Sequence, residues 1–326
     1  MAKRHFDLLN SSGIIYAGIL GGLIVAVTKF AAAALTGSSA MMSEAIHSLV
    51  DTGNSLLLLY GMRRAKQTPD HTHPLGYSRE IYFWSFIVAV LVFALGAGIA
   101  LYEGIAHILN PEPIQNPLIN YVVLAISALL DGATWWLALR QFKGSLHFGE
   151  LFNKFRESKN PTQFVVVFED TAGMIGLIIA FAGTYFSVML KLPMLDGVGS
   201  ILIAAVLAAT AVLLAVETKE LLIGETADQS VIDSILTIAG RIPGVVHANG
   251  VITAQIGPEQ IVGMLSIEFA DELRTPEIEE KVLEIERQVR NQHHEVTALF
   301  IKPQTWAEFQ KARSTRFQTE INRNDD

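Results

Sequence analysis

The chain contains no cysteine, which excludes disulfides, thiolate metal sites and cysteine nucleophiles. Charge is scarce too: charged residues make up 17% of the chain against 51% hydrophobic ones, at a mean hydropathy of +0.37. That balance is the signature of an integral membrane protein. A basic excess is also missing, the net charge being −8. Residues 1–216 carry 13 acidic and 13 basic groups, whereas 217–326 carry 19 and 11, so the whole acidic excess is C-terminal. Nucleic acid is therefore not an expected partner. There is no His-Glu-x-x-His pair and no serine nucleophile elbow, so the chain does not read as an intramembrane hydrolase or any other enzyme. The opening Met1–Asn10 has no small-residue cleavage site after its apolar run, and no removable signal peptide is expected.

What the chain does have is long apolar runs. Six spans are predicted, at about 12–35, 39–62, 82–108, 117–139, 163–190 and 194–216, each near the roughly 20 residues that cross a bilayer. Lys3 and Arg4 precede the first span. Arg63, Arg64, Lys66 and Arg79 follow the second, and Arg140, Lys143, Lys154, Arg156 and Lys159 follow the fourth. The opposite connections hold only Lys191. This bias places both termini in the cytoplasm.

The second span carries Ser-Glu-Ala-Ile-His-Ser-Leu-Val-Asp-Thr-Gly-Asn at positions 43–54. Helical spacing stacks His47 and Asp51 on one face, with Glu44 and Asn54 able to share it. At about 1.5 Å per residue, Asp51 lies roughly 18 Å into the span, near midplane. Ionisable groups at that depth are costly and mark an ion or proton path. The fifth span holds Glu169 and Asp170, whose side chains point about 100° apart, so only one can face a common site fully. Asp131 in the fourth span reads equally as a proton-path residue or a helix-pairing one. Glu103 and His107 read as interfacial, and Lys29 as a snorkelling lysine. In the loop after the second span, Asp70, His71 and His73 form a second candidate metal cluster. His247, His293 and His294 read as surface histidines.

After Glu217 the pattern becomes that of a small soluble domain. A helix is expected over Asp228–Arg241, strands over Gly244–Ile256 and Gln260–Phe269, a helix from Thr275 to about Asn291 and a strand over Glu295–Ile301. This α-β-β-α-β order predicts two layers on one antiparallel sheet. The expected domains are 1–216 in the membrane, 217–303 as the small domain and 304–326 as a polar tail.

Taken together, the six spans, the second-span motif, the loop His-Pro-Leu-Gly-Tyr-Ser-Arg-Glu and the Leu-Asn-Pro-Glu-Pro-Ile after the third span resemble the cation diffusion facilitator family. The resemblance covers about residues 8–303. It implies an α-helical membrane bundle of six transmembrane helices plus a small cytoplasmic α+β domain, ferredoxin-like and metallochaperone-like. It also implies a homodimer that exports divalent metal from the cytoplasm in exchange for protons, and a bacterial inner membrane suits the compact chain.

By the same resemblance, His47, Asp51 and Asp170 are metal ligands. The family's fourth ligand falls on Val166, leaving Glu169, Glu44, Asn54 or water to complete the set. Asp70 and His73 match an interfacial metal site whose further histidine is Tyr77 here. The last strand, Val-Thr-Ala-Leu-Phe-Ile-Lys-Pro, lacks the histidine and acid that similar zinc transporters carry, which leaves the small domain a dimerisation role. One imidazole with two or three carboxylates suits Zn²⁺ and also admits Fe²⁺, Mn²⁺ or Co²⁺. The alternative expectation is a non-transporting metal-sensing or partner subunit.

Overall fold

The computed structural model describes residues 2–141 and 159–321. Lys143, Lys154 and Arg156, used above for orientation, lie outside the described residues. The chain divides into two compact units, Met1–Lys219 and Glu220–Asp326.

The first unit consists of long helices: α1 (Ala2–Thr36), α2 (Ser39–Ala65), α3 (Glu80–Leu109), α4 (Pro117–Gln141), α5 (Pro161–Leu190) and α6 (Met194–Ile223). Gly37, at φ +70°, makes the turn between α1 and α2, where a side chain would be strained. The Ser38 hydroxyl then caps α2 by accepting from the Met41 N–H at 3.2 Å. Pro161 opens α5, where its missing N–H costs nothing. Within α3, Val92–Ala97 adopts π-helical geometry, a local widening often found at functional sites.

Among the described residues, five stretches are long and apolar enough to cross a membrane: Gly18–Thr36, Glu80–Leu109, Pro117–Arg140, Pro161–Leu190 and Met194–Ile223. Leu129, Leu137, Ile178 and Val212 point outward from these helices, as lipid-facing residues do. Helix α2 does not meet that description, although six spans were expected. The physical reason is its polar content: Ser43, Glu44, His47, Asp51, Asn54, Arg63 and Arg64 offset its apolar residues. Yet α2 packs on α1, α3 and α5, and its Ser43, Glu44, His47 and Asn54 are buried.

Small residues set the tightest crossing. A side chain on Gly104 of α3 would meet the Gly197 carbonyl of α6 at 2.8 Å, and one on Gly197 would meet the Gly104 carbonyl at 2.8 Å. Backbones approach this closely in membranes where packing, rather than hydrophobic exclusion, holds helices together. A polar cluster also joins one end of the bundle. Asp196 of α6 accepts from the Ser38 hydroxyl at 2.9 Å and the Ala40 N–H at 3.2 Å. There too, the hydroxyls of Ser39 and Ser200 lie 2.7 Å apart, and Thr36 donates to Asn120 of α4 at 2.9 Å.

The second unit runs α7 (Gln229–Gly240), β1 (Val245–Gly257), β2 (Gln260–Phe269), α8 (Thr275–Gln292), β3 (Val296–Pro303) and α9 (Trp306–Ile321). The Asp228 carboxylate caps α7 through the Ser230 N–H at 2.8 Å, and Glu277 accepts from the Arg274 N–H at 2.7 Å to start α8. Strand order is β1-β2-β3. The β1–β2 pair is antiparallel, with Ile252 opposite Met264, but β2 and β3 are parallel, with Met264 opposite Phe300. The expected all-antiparallel sheet is thus corrected to a mixed one. The cause is α8, a crossover helix that returns the chain to the starting edge of its neighbour. Ile235 and Ile238 of α7, Leu265 and Ile267 of β2, and Ile285 and Val289 of α8 form the core. The stretch read as a polar tail contributes α9, whose Phe309 ring fills the space that a side chain on Gly250 would need.

Candidate metal centre

The site is built around one face of α2. Residues three, four and seven apart share a helix face, so Glu44, His47, Ser48 and Asp51 form a polar column. His47 is 7% exposed, Glu44 is fully buried and Asp51 is half-buried. Helix α5 lies against this column with its small residues. A side chain on Gly173 would meet His47 Nε2 at 2.9 Å, and one on Gly176 would overlap Glu44 Oε1. Asp170 precedes Gly173 by three residues, on the same α5 face, and is half-buried. The carboxylate of Asp170 lies within electrostatic reach of Asp51, and His47 within reach of the same Asp51. The pattern Asp170-x-x-Gly173-x-x-Gly176 was a sequence signal for this contact face, and it was not read.

Glu169 points to a different partner. It is 3% exposed and accepts from the Asn54 side-chain amide at 2.7 Å. Glu169 and Asn54 therefore satisfy each other across the α2–α5 seam. Val166 packs in an apolar cluster with Leu58, Val88, Phe164 and Phe168.

Lys29 contradicts its reading as a snorkelling residue. It is 1% exposed, and its ammonium lies 3.1 Å from Glu44 Oε2, donates to Ser48 Oγ at 2.8 Å and sits 3.6 Å from Asp131 Oδ2. Ionisable groups within membrane helices commonly face the bundle interior and pair with one another, and Lys29 pairs with two carboxylates there. Asp131, at 39% exposure, thereby joins α4 to α1. Its charge also reaches Asp51, His47 and Asp170. Glu44 is thus engaged by Lys29 and Asn54 by Glu169. Among the described residues, no three histidine, aspartate or glutamate side chains converge as a ready metal-holding group.

The second candidate cluster is organised differently. Asp70 Oδ1 accepts from the backbone N–H groups of Thr72 at 2.9 Å and His73 at 2.7 Å, while Oδ2 accepts from the Tyr77 hydroxyl at 2.6 Å. His73 Nδ1 lies 3.6 Å from the same carboxylate, and its ring rests on Tyr77 at 4.3 Å between centroids. The Tyr77 hydroxyl and then the His73 N–H hold the Asp70 carboxyl below the ordinary carboxylate range. The same bond pushes the Tyr77 phenol up. His71 and His73 are exposed. Beside this loop, Glu80 of α3 takes Arg64 of α2 at 3.1 Å and the Trp84 indole N–H at 2.8 Å.

One further residue was missed in the sequence: Asp196 is fully buried at the Ser38 end of α2, and His107, read as interfacial, lies within its electrostatic reach. In the second unit, His293 lies 2.7 Å from Ser234 Oγ and 3.1 Å from Glu295, whereas His247 and His294 are exposed.

Ionisable groups buried in an apolar helix bundle are costly, and those of α2 and α5 face one another across one seam. Residues 15–223 match the family described as the cation efflux transmembrane domain, a stretch that contains the whole of α2 to α6. The chain is 33% identical over 243 residues to the mouse protein named proton-coupled zinc antiporter SLC30A9, mitochondrial, covering 74% of this chain and 43% of that one. It is 32% identical over 210 residues to metal tolerance protein C4 of Arabidopsis thaliana, covering 64% of this chain and 46% of that one. It is also 25% identical over 260 residues to the zinc transporter ZitB of Pectobacterium atrosepticum, covering 79% and 76%. The match spans less than half the length of the first two relatives. The chain belongs to the cation efflux family, also called the cation diffusion facilitators, which are transporters and not enzymes.

Proposed function

We propose that this protein exports a divalent transition-metal cation from the cytoplasm in exchange for protons, with Zn²⁺ as favoured cargo and Fe²⁺, Mn²⁺ or Co²⁺ admissible. The observation that carries this reading is the His47–Asp51 pair of α2 laid on the Asp170–Gly173 face of α5 inside an apolar bundle. Names of the zinc-transporting relatives support the cargo. Helix α2 is the sixth span: its 27 residues are long enough, and its polar groups face neighbouring helices. Both termini lie in the cytoplasm, the protein works as a homodimer, and its membrane is a bacterial inner membrane.

The coupling follows from the donor set. Metal needs neutral imidazole and ionised carboxylates, so loading releases protons and protonation releases metal. A histidine is suited to that exchange near neutral pH. Metal enters from the cytoplasm, the bundle alternates its access, and external protons at His47 and Asp51 expel the ion.

The test uses the full chain in liposomes loaded with a pH-sensitive dye, given Zn²⁺, Mn²⁺, Fe²⁺, Co²⁺ and Mg²⁺ in turn. Proton flux driven by one or more transition metals is expected. No flux with any of them, from a folded protein, overturns the reading. It would favour a metal-sensing or partner subunit, a second reading to which the lack of a ready three-ligand group among the described residues lends weight.

A further inference from the structure

Lys29 is the buried charge that the proposed transport does not use. It comes from α1, yet it sits against the polar column of α2 one turn from His47. Its ammonium holds Glu44 at 3.1 Å and Ser48 at 2.8 Å, with Asp131 at 3.6 Å. Glu44 is singular among the acids of the unit. It is fully buried, it precedes His47 by three residues on the same face, and its Oε2 is claimed by Lys29. Its other oxygen, Oε1, is buried without a hydrogen-bond partner among the described residues and lies against Gly176 of α5. Glu44 and His47, three apart on α2, meet Gly176 and Gly173, three apart on α5, so the two side chains lie against the same face of that helix.

We propose that Lys29 is a specificity-determining positioning residue, which withholds Glu44 from the metal and so keeps the ligand set of His47, Asp51 and Asp170 from gaining a third carboxylate. This rests on the transport reading above. The chemistry is the ordinary contrast of ligand types. Imidazole suits Zn²⁺, whereas each added carboxylate oxygen favours harder cations such as Mn²⁺. A tethered ammonium beside a carboxylate neutralises it and fixes its direction, so the transported ion meets one hard ligand fewer. A purely structural staple of α1, α2 and α4 would use the same contacts but would not alter which metal binds.

Two double variants separate these roles while each preserves net charge. Lys29→Met with Asp131→Asn leaves Glu44 unclaimed, and Lys29→Met with Glu44→Gln removes it as a ligand. The second variant removes both members of the buried Lys29–Glu44 pair, which is far better tolerated than removing one; the first leaves Glu44 without its cation, so thermal unfolding in detergent checks that it folds, and Lys29→Gln, which removes the ammonium but keeps a polar group there, takes its place if it does not. Zn²⁺ and Mn²⁺ affinities are measured on the purified full chain by competition with a fluorescent chelator, alongside flux in liposomes. The first variant is expected to move the Zn²⁺ to Mn²⁺ affinity ratio towards Mn²⁺ by roughly tenfold or more, and the second to keep the parent ratio. Equal ratios in the two variants overturn the assignment. A parent protein that binds metal but moves none overturns the transport reading instead, and the binding ratios still decide the role of Lys29.

Discussion

Two clusters in this molecule carry the same residue types at similar spacing, in opposite surroundings. In α2, His47 and Asp51 stand one turn apart on a rigid helix whose neighbours exclude water. In the connection after it, Asp70 and His73 lie three residues apart in an exposed turn. The difference is in what completes each carboxylate. Asp70 spends both oxygens on its own loop, on two backbone N–H groups and the Tyr77 hydroxyl. Asp51 has the imidazole of His47 and the carboxylate of Asp170 within electrostatic reach instead. Spacing alone does not distinguish the two settings; burial and the identity of the neighbouring helix do.

The comparison is broken most severely by removing an acid from the α2–α5 face. Asp51→Ala or Asp170→Ala is expected to lower metal transport by more than about 100-fold, beyond the loss typical of a ligand's supporting partner, with the folded protein retained. Gly173→Ala is milder. Its methyl would stand 2.9 Å from His47 Nε2, so the ring must shift. Transport falls by about tenfold, within the range seen when a ligand is misoriented, and the melting temperature stays near the parent's.

Asn54→Leu tests the Glu169 link. It leaves a buried carboxylate without its donor at 2.7 Å, which costs on the order of 2 kcal/mol of stability. Thermal unfolding in detergent reads that loss, and adding Glu169→Leu should recover much of it.

Asp70→Asn has the smallest effect, with metal flux expected to stay within about twofold of the parent because an exposed, self-satisfied turn contributes little. Its signature is spectroscopic. Tyr77, pushed up by Asp70, should titrate closer to the ordinary tyrosine value in the variant, read by ultraviolet absorbance. The sign for Asp70 follows from its lowered folded-state value. The turn's contribution is complete above the ordinary carboxylate range and is lost as pH falls through the lowered value of Asp70.

Much of the small domain was legible from pattern. Alternation and caps put α7, α8 and the three strands within one or two residues of their observed ends, since Asp228, Gly257-Pro258 and Thr275-Pro276 act locally, whereas α9 was read as a tail. Strand direction was not legible, because it depends on which edge α8 carries the chain to. In the membrane unit the His47–Asp51 column could be read, since helical periodicity is a local property. Lys29 could not: its partner Glu44 lies 15 residues away on the next helix, and Asp131 belongs to α4. A lysine in an apolar helix looks the same in sequence whether it climbs to the interface or turns inward. Asp196 was hidden for the same reason, its partner Ser38 lying 158 residues away.

The most direct test of the central claim is Zn²⁺-driven proton flux in liposomes for the parent chain, Asp51→Ala and Asp70→Asn side by side. Flux in the parent and in Asp70→Asn, with none in Asp51→Ala, is the result expected if the buried column carries the ion and the exposed turn does not. Flux that survives Asp51→Ala, or that vanishes with Asp70→Asn, would contradict it.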